Sequence, residues 1–234
     1  MLLFEIKDYV REHFGRIGIP TSFLNLALEL GRKEIENEAN FWWMEDERDF
    51  NLTAATATYP FQSGTILEPN FKDLRGLYWK KSTELQWTPM GIGPKDKAEL
   101  DLEYETTEIG EPEQAVVHNA TLHIYPIPDA VATYNMRMYF YQYTAMPTQI
   151  TADDLTLGFP MALIYSALAQ GYELELKDMQ SAAYWRKLLS MQIPKIKREH
   201  IKRSWMDKIN FIPHTGPYDR GRYSMDNMQI YPRR

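Results

Sequence analysis

The segment "LTLGFPMALIYSALAQGYELEL", residues 155–176, is apolar almost all the way round. A helix without a polar face must be covered on every side. The chain therefore has to supply further helices around it, and amphipathic stretches at both ends meet that need. Residues 2–14 set Leu2, Leu3, Ile6, Tyr9, Val10 and His13/Phe14 at helical spacing, and "GRIGIP" ends that run. A second helix is predicted after Pro20, with Thr21 as its N-cap. Its stripe is Leu24, Leu28, Gly31, Ile35 and Ala39, widened by Phe23, Ala27 and Leu30. Asn25, Glu29, Arg32, Lys33 and Glu36 are its expected wet face, and Trp42, on the same stripe, is expected to seal its end. Before the apolar segment, Thr151 is the expected N-cap, with Asp153 and Asp154 in the first turn. After it, Ala182, Trp185, Leu189, Ile193 and Ile196 stripe a long amphipathic helix that Pro194 should kink or split.

Between these helices the period changes from about 3.6 to 2. "RDFNLTAATATYPF" alternates Phe50, Leu52 and Tyr59 with small or polar residues, which favours strands. Leu74, Leu77 and Trp79 follow, then one predicted face of Val116, His118, Ala120, Leu122 and Ile124, closed by Pro126 and Pro128. A last strand puts Met136, Met138 and Phe140 opposite Tyr139, Tyr141 and Tyr143. The acidic stretch "MGIGPKDKAELDLEYETTEIGEPE" reads as an exposed loop or protruding hairpin. The aromatic triplet Phe41, Trp42 and Trp43 stands where the helices hand the chain to the strands, and is expected to pack both. The fold expected is α+β: a bundle of about four helices, an inserted antiparallel β domain and an extended C-terminal arm. The helical core takes 1–44 and 146–205, the β domain 45–145 and the arm 206–234.

There is no cysteine, which excludes disulfides and thiolate metal sites. Glu5, Lys7 and Asp8 break the start as a signal-peptide core, and no apolar run reaches the roughly 20 residues of a membrane span. No membrane association is expected, and folding in a cytoplasm follows. The net charge of −6 is uneven: residues 195–234 hold ten Lys/Arg against four Asp/Glu, the first 194 residues 16 against 28. An acidic body should not grip nucleic acid, whereas the basic tail can dock on phosphate or on an acidic neighbour.

Little here points to catalysis. His118 and His123 are expected on opposite strand faces, so they are poor joint ligands, and His13, His200 and His214 are scattered. Asp153–Asp154 and the cluster Glu45, Asp46, Glu47 and Asp49 are the carboxylates a glycoside hydrolase would need. A helix cap suits the first pair and a solvated turn suits the cluster, and these are the favoured accounts. Trp79 and Trp87 are the candidates for a sugar platform, with core or interface packing as the simpler account. No nucleophile elbow, Walker loop or dinucleotide fingerprint is present. No cofactor, metal site or catalytic residue is expected. The tail differs, because disordered tails are poor in aromatics and this one is rich. Trp205, Phe211, Ile212, Tyr218, Arg220, Arg222, Tyr223, Ile230 and Tyr231 combine aromatics and arginine as interface hot spots do, and are the candidate interface residues.

Several local patterns, in their order, resemble the head-to-tail adaptor (connector) proteins of tailed bacteriophages. They are "LNLALELGRKEIENEANFWWMEDERDFNLTAATATYPF", then "PNFKDLRGLYW", then "DDLTLGFPMALIYSALAQGYELELKDMQSAAYWRKLLSMQIPKIKR", covering most of residues 20–203. The resemblance includes a Trp-bearing helix end, a Thr-rich strand with a Tyr-Pro turn, and a buried helix matched by Pro160 to Ala169. Lys177 and Asp178 match the step that opens the family's helix carrying Trp185. Asn70 stands where the family pattern has an acidic residue before Phe71, and Pro194 and the long aromatic tail depart from the pattern. The resemblance implies a homo-oligomeric ring, usually of twelve subunits, in the virion at the head-to-tail junction. Its partners would be the portal above and a tail or nozzle protein below, with DNA passing through without specific binding. The helices would form the ring and portal-facing core, and the β insertion would face outward or tailward. The alternatives are a virion-associated cell-wall-degrading enzyme and a carbohydrate- or receptor-binding tail module.

Overall fold

The structure, a computed structural model, describes residues 1–14, 19–61, 68–92, 96–104, 108–130, 133–147 and 153–210, with side chains of the last helix as far as Arg203. It is a mixed α+β fold. Two helices open it, α1 (Leu3–His13) and α2 (Thr21–Asn37), and a 3-10 turn at Trp42–Met44 leads into the strands. These are β1 (Glu45–Asn51), β2 (Thr58–Pro60), β3 (Phe71–Lys81) and β4 (Thr88–Pro89), then a short α3 (Lys97–Glu103). There follow β5 (Ile109–Gly110), β6 (Gln114–His118), β7 (Thr121–Tyr125), β8 (Ile127–Pro128) and β9 (Tyr134–Gln142). Helices α4 (Asp154–Gly158), α5 (Pro160–Leu174) and α6 (Met179–Asn210) end the described chain.

The helices gather around α5. Its Ala162, Leu163, Ile164, Ala167 and Leu168 are buried against α2, α6 and α1. Gly31 is what lets α2 approach: a Cβ there would lie 2.7 Å from the backbone nitrogen of Ala167. Ser166 uses the same closeness to donate to the Gly31 carbonyl at 2.9 Å. The apolar 155–176 segment is two helices rather than one. Asp153 caps α4 through the Thr156 N–H at 2.9 Å, the chain breaks at Phe159, and Pro160 restarts it at the first helical position. Thr151, the expected cap, lies outside the described residues. At α2 the expected cap is displaced as well: Pro20 holds the N-cap position, and Thr21 is already helical. Pro194 does not split α6, which runs unbroken for 32 residues and takes in 206–210 of the expected arm.

The strands build a second core. One sheet has the order β1-β9-β3-β4 and another β2-β7-β6, both antiparallel. Phe50, Leu77, Met136, Met138 and Phe140 of the first meet Tyr59, Ala115, Leu122 and Ile124 of the second in one cluster. The alternation along β9 is as expected. The predicted face at 116–124 is not, because the chain turns back at Asn119–Ala120, both with positive φ. In the hairpin Ala115 pairs with Ile124 and Val117 with Leu122, so those residues face the core and Val116 and His118 do not. Contrary to the purely antiparallel expectation, β5 and β8 pair in parallel. The acidic stretch is neither bare loop nor hairpin: α3 is capped by Asp96 and buries Leu100, with Met90 and Tyr104 buried beside it in sequence.

Candidate functional site

The most elaborate polar arrangement sits where helices and strands meet. Arg32 and Glu36, expected on the wet face of α2, are 2% and 0% exposed. The Arg32 guanidinium reaches Glu36 at 3.1 Å, Thr144 Oγ1 at 2.6 Å and the Asp153 carboxylate. Glu36 accepts from the Thr144 N–H at 3.2 Å, the Thr144 hydroxyl and Trp43 Nε1 at 3.3 Å. Lys72 of β3 donates to the Glu36 and Ala39 carbonyls, closing the C-terminal end of α2 where a cation is favoured. One carboxylate thus ties α2, the exit from β9 and the aromatic triplet, and Arg32 adds the cap of α4. Burial pushes the Asp153 carboxyl up, but the Thr156 N–H and Arg32 outweigh it and hold it below the usual range. A signal for Arg32 was present: at 100° per residue it points within about 40° of Leu28.

The triplet does not pack both cores as expected: Phe41 and Trp43 pack in the helical cluster and none of the three joins the strand cluster. Helix α2 ends at Asn37, and Phe41 and Met44 are the fully buried residues, not Trp42. Phe41 stacks on Trp43 at 4.5 Å. Trp42 gives its indole N–H to Asp154 at 2.9 Å and lies under the Arg203 guanidinium at 4.3 Å, which fastens the far part of α6 to α4 and the turn. Beside it His200 carries a buried Nδ1 that has no hydrogen-bond partner.

Next to this lies an open groove of about 430 Å³ between the α4–α5 elbow and α6, lined by Gly158, Phe159, Lys195, Arg198, Lys202 and Arg203, with Glu199. Its cations belong to the basic stretch expected to dock on phosphate or an acidic neighbour, but the groove they form with Phe159 was not legible in the sequence. A second polar cluster, Glu34 with Ser166, Gln170 and Arg186, clamps α2, α5 and α6 together.

Most of the candidate catalytic carboxylates are engaged in structure. Asp153 and Asp154 serve the cap, Arg32 and Trp42. Glu45 to Asp49 belong to the edge strand β1 rather than a turn: Glu45 meets Arg75, and Asp49 takes a bidentate pair from Arg137 at 2.7 Å. The Arg137 bond holds the Asp49 carboxyl below its usual range. Trp79 is buried in the sheet core, whereas Trp87 has Lys80 and Arg137 each 4.9 Å from its ring, so the two indoles form no joint platform. His118 and His123 are on the same hairpin face, not opposite ones, with rings 6.3 Å apart, because Val116 pairs with His123. Among the described residues no group of three or more His, Asp or Glu is placed to hold a metal. No described helix is long and apolar enough to cross a membrane. Of the candidate interface residues, Trp205 falls within α6, where only backbone is described. Phe211, Ile212, Tyr218, Arg220, Arg222, Tyr223, Ile230 and Tyr231 lie outside the described residues.

A family model described as SU10 adaptor protein matches residues 1–210. No curated protein matches the chain.

Proposed function

The chain belongs to the SU10 adaptor protein family, whose members serve as phage adaptors, and from that premise we propose that it is a structural head-to-tail adaptor working by assembly rather than catalysis. Copies form a ring, of twelve subunits by the family resemblance, beneath the portal; the ring extends the DNA channel and carries a tail or nozzle protein. Within each copy, 1–44 and 146–205 act as a helical core, 45–145 as the inserted β domain, and the residues after α6 as an arm gripping a neighbouring subunit or the portal. The observation that carries this reading is the family match over residues 1–210. The charge distribution supports it: the first 194 residues have 28 acidic against 16 basic side chains, a balance that lets DNA slide without sticking. The aromatic and arginine content of the last residues supports the arm.

Mass photometry and electron microscopy of the purified chain, alone and with its portal protein, test the reading. The expected result is a monomer or weak oligomer alone and a closed ring on the portal. A stable monomer that never binds the portal overturns it. Removing residues 211–234 should leave the melting temperature unchanged and abolish assembly; unfolding of the shortened chain would make the tail part of the core instead.

A further inference from the structure

Helix α6 gathers cations on its outer side. Between Met179 and Arg203 it carries seven Lys/Arg and one Glu. At 100° per residue, Lys187, Met191, Lys195, Arg198 and Lys202 point away from the buried Ala182, Leu189 and Ile196. Toward its end this side opens into the 430 Å³ groove, lined by Phe159 and by Lys195, Arg198, Lys202 and Arg203, with Glu199 as its one acid, paired with Lys202 and Arg203. Next in sequence to the groove's Gly158, Leu157 is 62% exposed. The groove thus offers cations around an apolar floor.

The opposite chemistry is displayed on the β side of the molecule. Residues 96–114 hold eight Asp/Glu against one basic residue, Lys97, which pairs with Asp101. Here α3 is fixed rather than loose: Asp96 accepts the Glu99 N–H at 2.9 Å, Leu100 is buried, and Tyr125 donates to Asp101 at 2.6 Å. That anchoring holds Leu102 out in water at 89% exposure between Asp101 and Glu103. An apolar tip flanked by carboxylates matches an apolar floor flanked by cations. Within one chain they do not meet, since α3 packs on β6 and α6 on α5.

We propose that α3 of one copy seats in the α6 groove of the next, with Leu102 against Phe159 and the net-acidic segment around α3 facing Lys195, Arg198 and Lys202. The inference rests on the ring reading above. The contact is heterologous, one copy giving the tip and the next the groove, so repetition continues around a ring instead of stopping at a dimer.

The absence of native cysteine makes the test clean. The full chain carrying Leu102→Cys and Lys195→Cys is assembled on its portal, oxidised, and run on a denaturing gel, beside each single variant. Both sites are exposed, so melting temperatures should match the parent. The expected result is a ladder of covalent multimers above the dimer from the double variant, absent from both single variants. Rings that form without a ladder overturn this contact and leave the adaptor reading standing; if such rings lose DNA retention when Arg198 and Lys202 are changed to Glu, the groove takes phosphate instead. Covalent dimers from Leu102→Cys alone make the contact isologous and also overturn it. Failure of the parent chain, without cysteines, to form rings on its portal sinks the adaptor reading itself.

Discussion

Gly31→Ala sets two well-known tendencies against each other. In an exposed helix interior, alanine is better than glycine by roughly 1 kcal/mol. At Gly31, however, the new methyl would lie 2.7 Å from the Ala167 nitrogen and 3.0 Å from the Ser166 carbonyl carbon. Those are backbone atoms, so relief requires α2 and α5 to part, not a side chain to rotate. Overpacking of this kind costs about 1–3 kcal/mol. Parting the helices also strains the Ser166 hydroxyl bond to the Gly31 carbonyl, which contributes about 1 kcal/mol. Taking the upper half of the overpacking range, the net loss is about 2 kcal/mol. For a chain of this size each kcal/mol shifts the melting temperature by about 2–4 °C, so Gly31→Ala should lower it by about 4–8 °C. Gly158→Ala is the control, because a methyl there meets nothing within 4 Å. It should leave the melting temperature within about 2 °C of the parent or raise it slightly. Calorimetric scans of both variants decide the matter. A rise in melting temperature for Gly31→Ala equal to that for Gly158→Ala would show that α2 and α5 do not touch at this point.

Replacing Arg32 by Met leaves Glu36 buried without its guanidinium partner, so chemical denaturation should show a loss of about 3 kcal/mol, while Lys33→Met, in an exposed pair with Glu29, changes stability by less than about 0.5 kcal/mol. Equal effects would remove the buried network from the account. Burial holds His200 below its ordinary range, with Glu45 opposing and Arg75 assisting; burial does the same to His123, assisted by Lys97 and His118. For a base with a depressed folded-state pKa, the unfolded chain takes up the proton first. Stability should therefore be full above the usual histidine range near about 6.5 and fall as the pH drops through it toward the lower folded value. His200→Phe should flatten that slope between about pH 7 and 5 and cost nothing at neutral pH, since the buried Nδ1 has no partner to lose; an unchanged slope refutes it.

The long helices were legible because their apolar stripes repeat over many turns, as at Leu24, Leu28 and Ile35, and the two cores divide the chain where its period changes. What stayed hidden had specific causes. Arg32 was assigned to water by residue type although it lies only about 40° from Leu28, whereas Glu36, about 100° round from Ile35, gave no angular sign of burial. The Asn119–Ala120 turn carries no glycine or proline, so two short strands looked like one and the parity of His118 against His123 came out inverted. Helix α3 has seven residues and one buried leucine, too little periodicity to stand out of an acidic run. The groove beside α6 joins Phe159 to residues some forty positions later, and only packing brings them together.

The strand that leaves the helices at Glu45 lies directly beside the one that returns, Glu45 being paired with Tyr141. Paired backbones of this kind run only about 5 Å apart. Departure and return are therefore neighbours, and the helices see the whole excursion as a single doorway. Whatever lies beyond β1, β9 and the Lys72 end of β3, which closes α2, can vary in size without disturbing their packing. A lineage is thus free to remodel what it presents at this end while keeping the helical side unchanged.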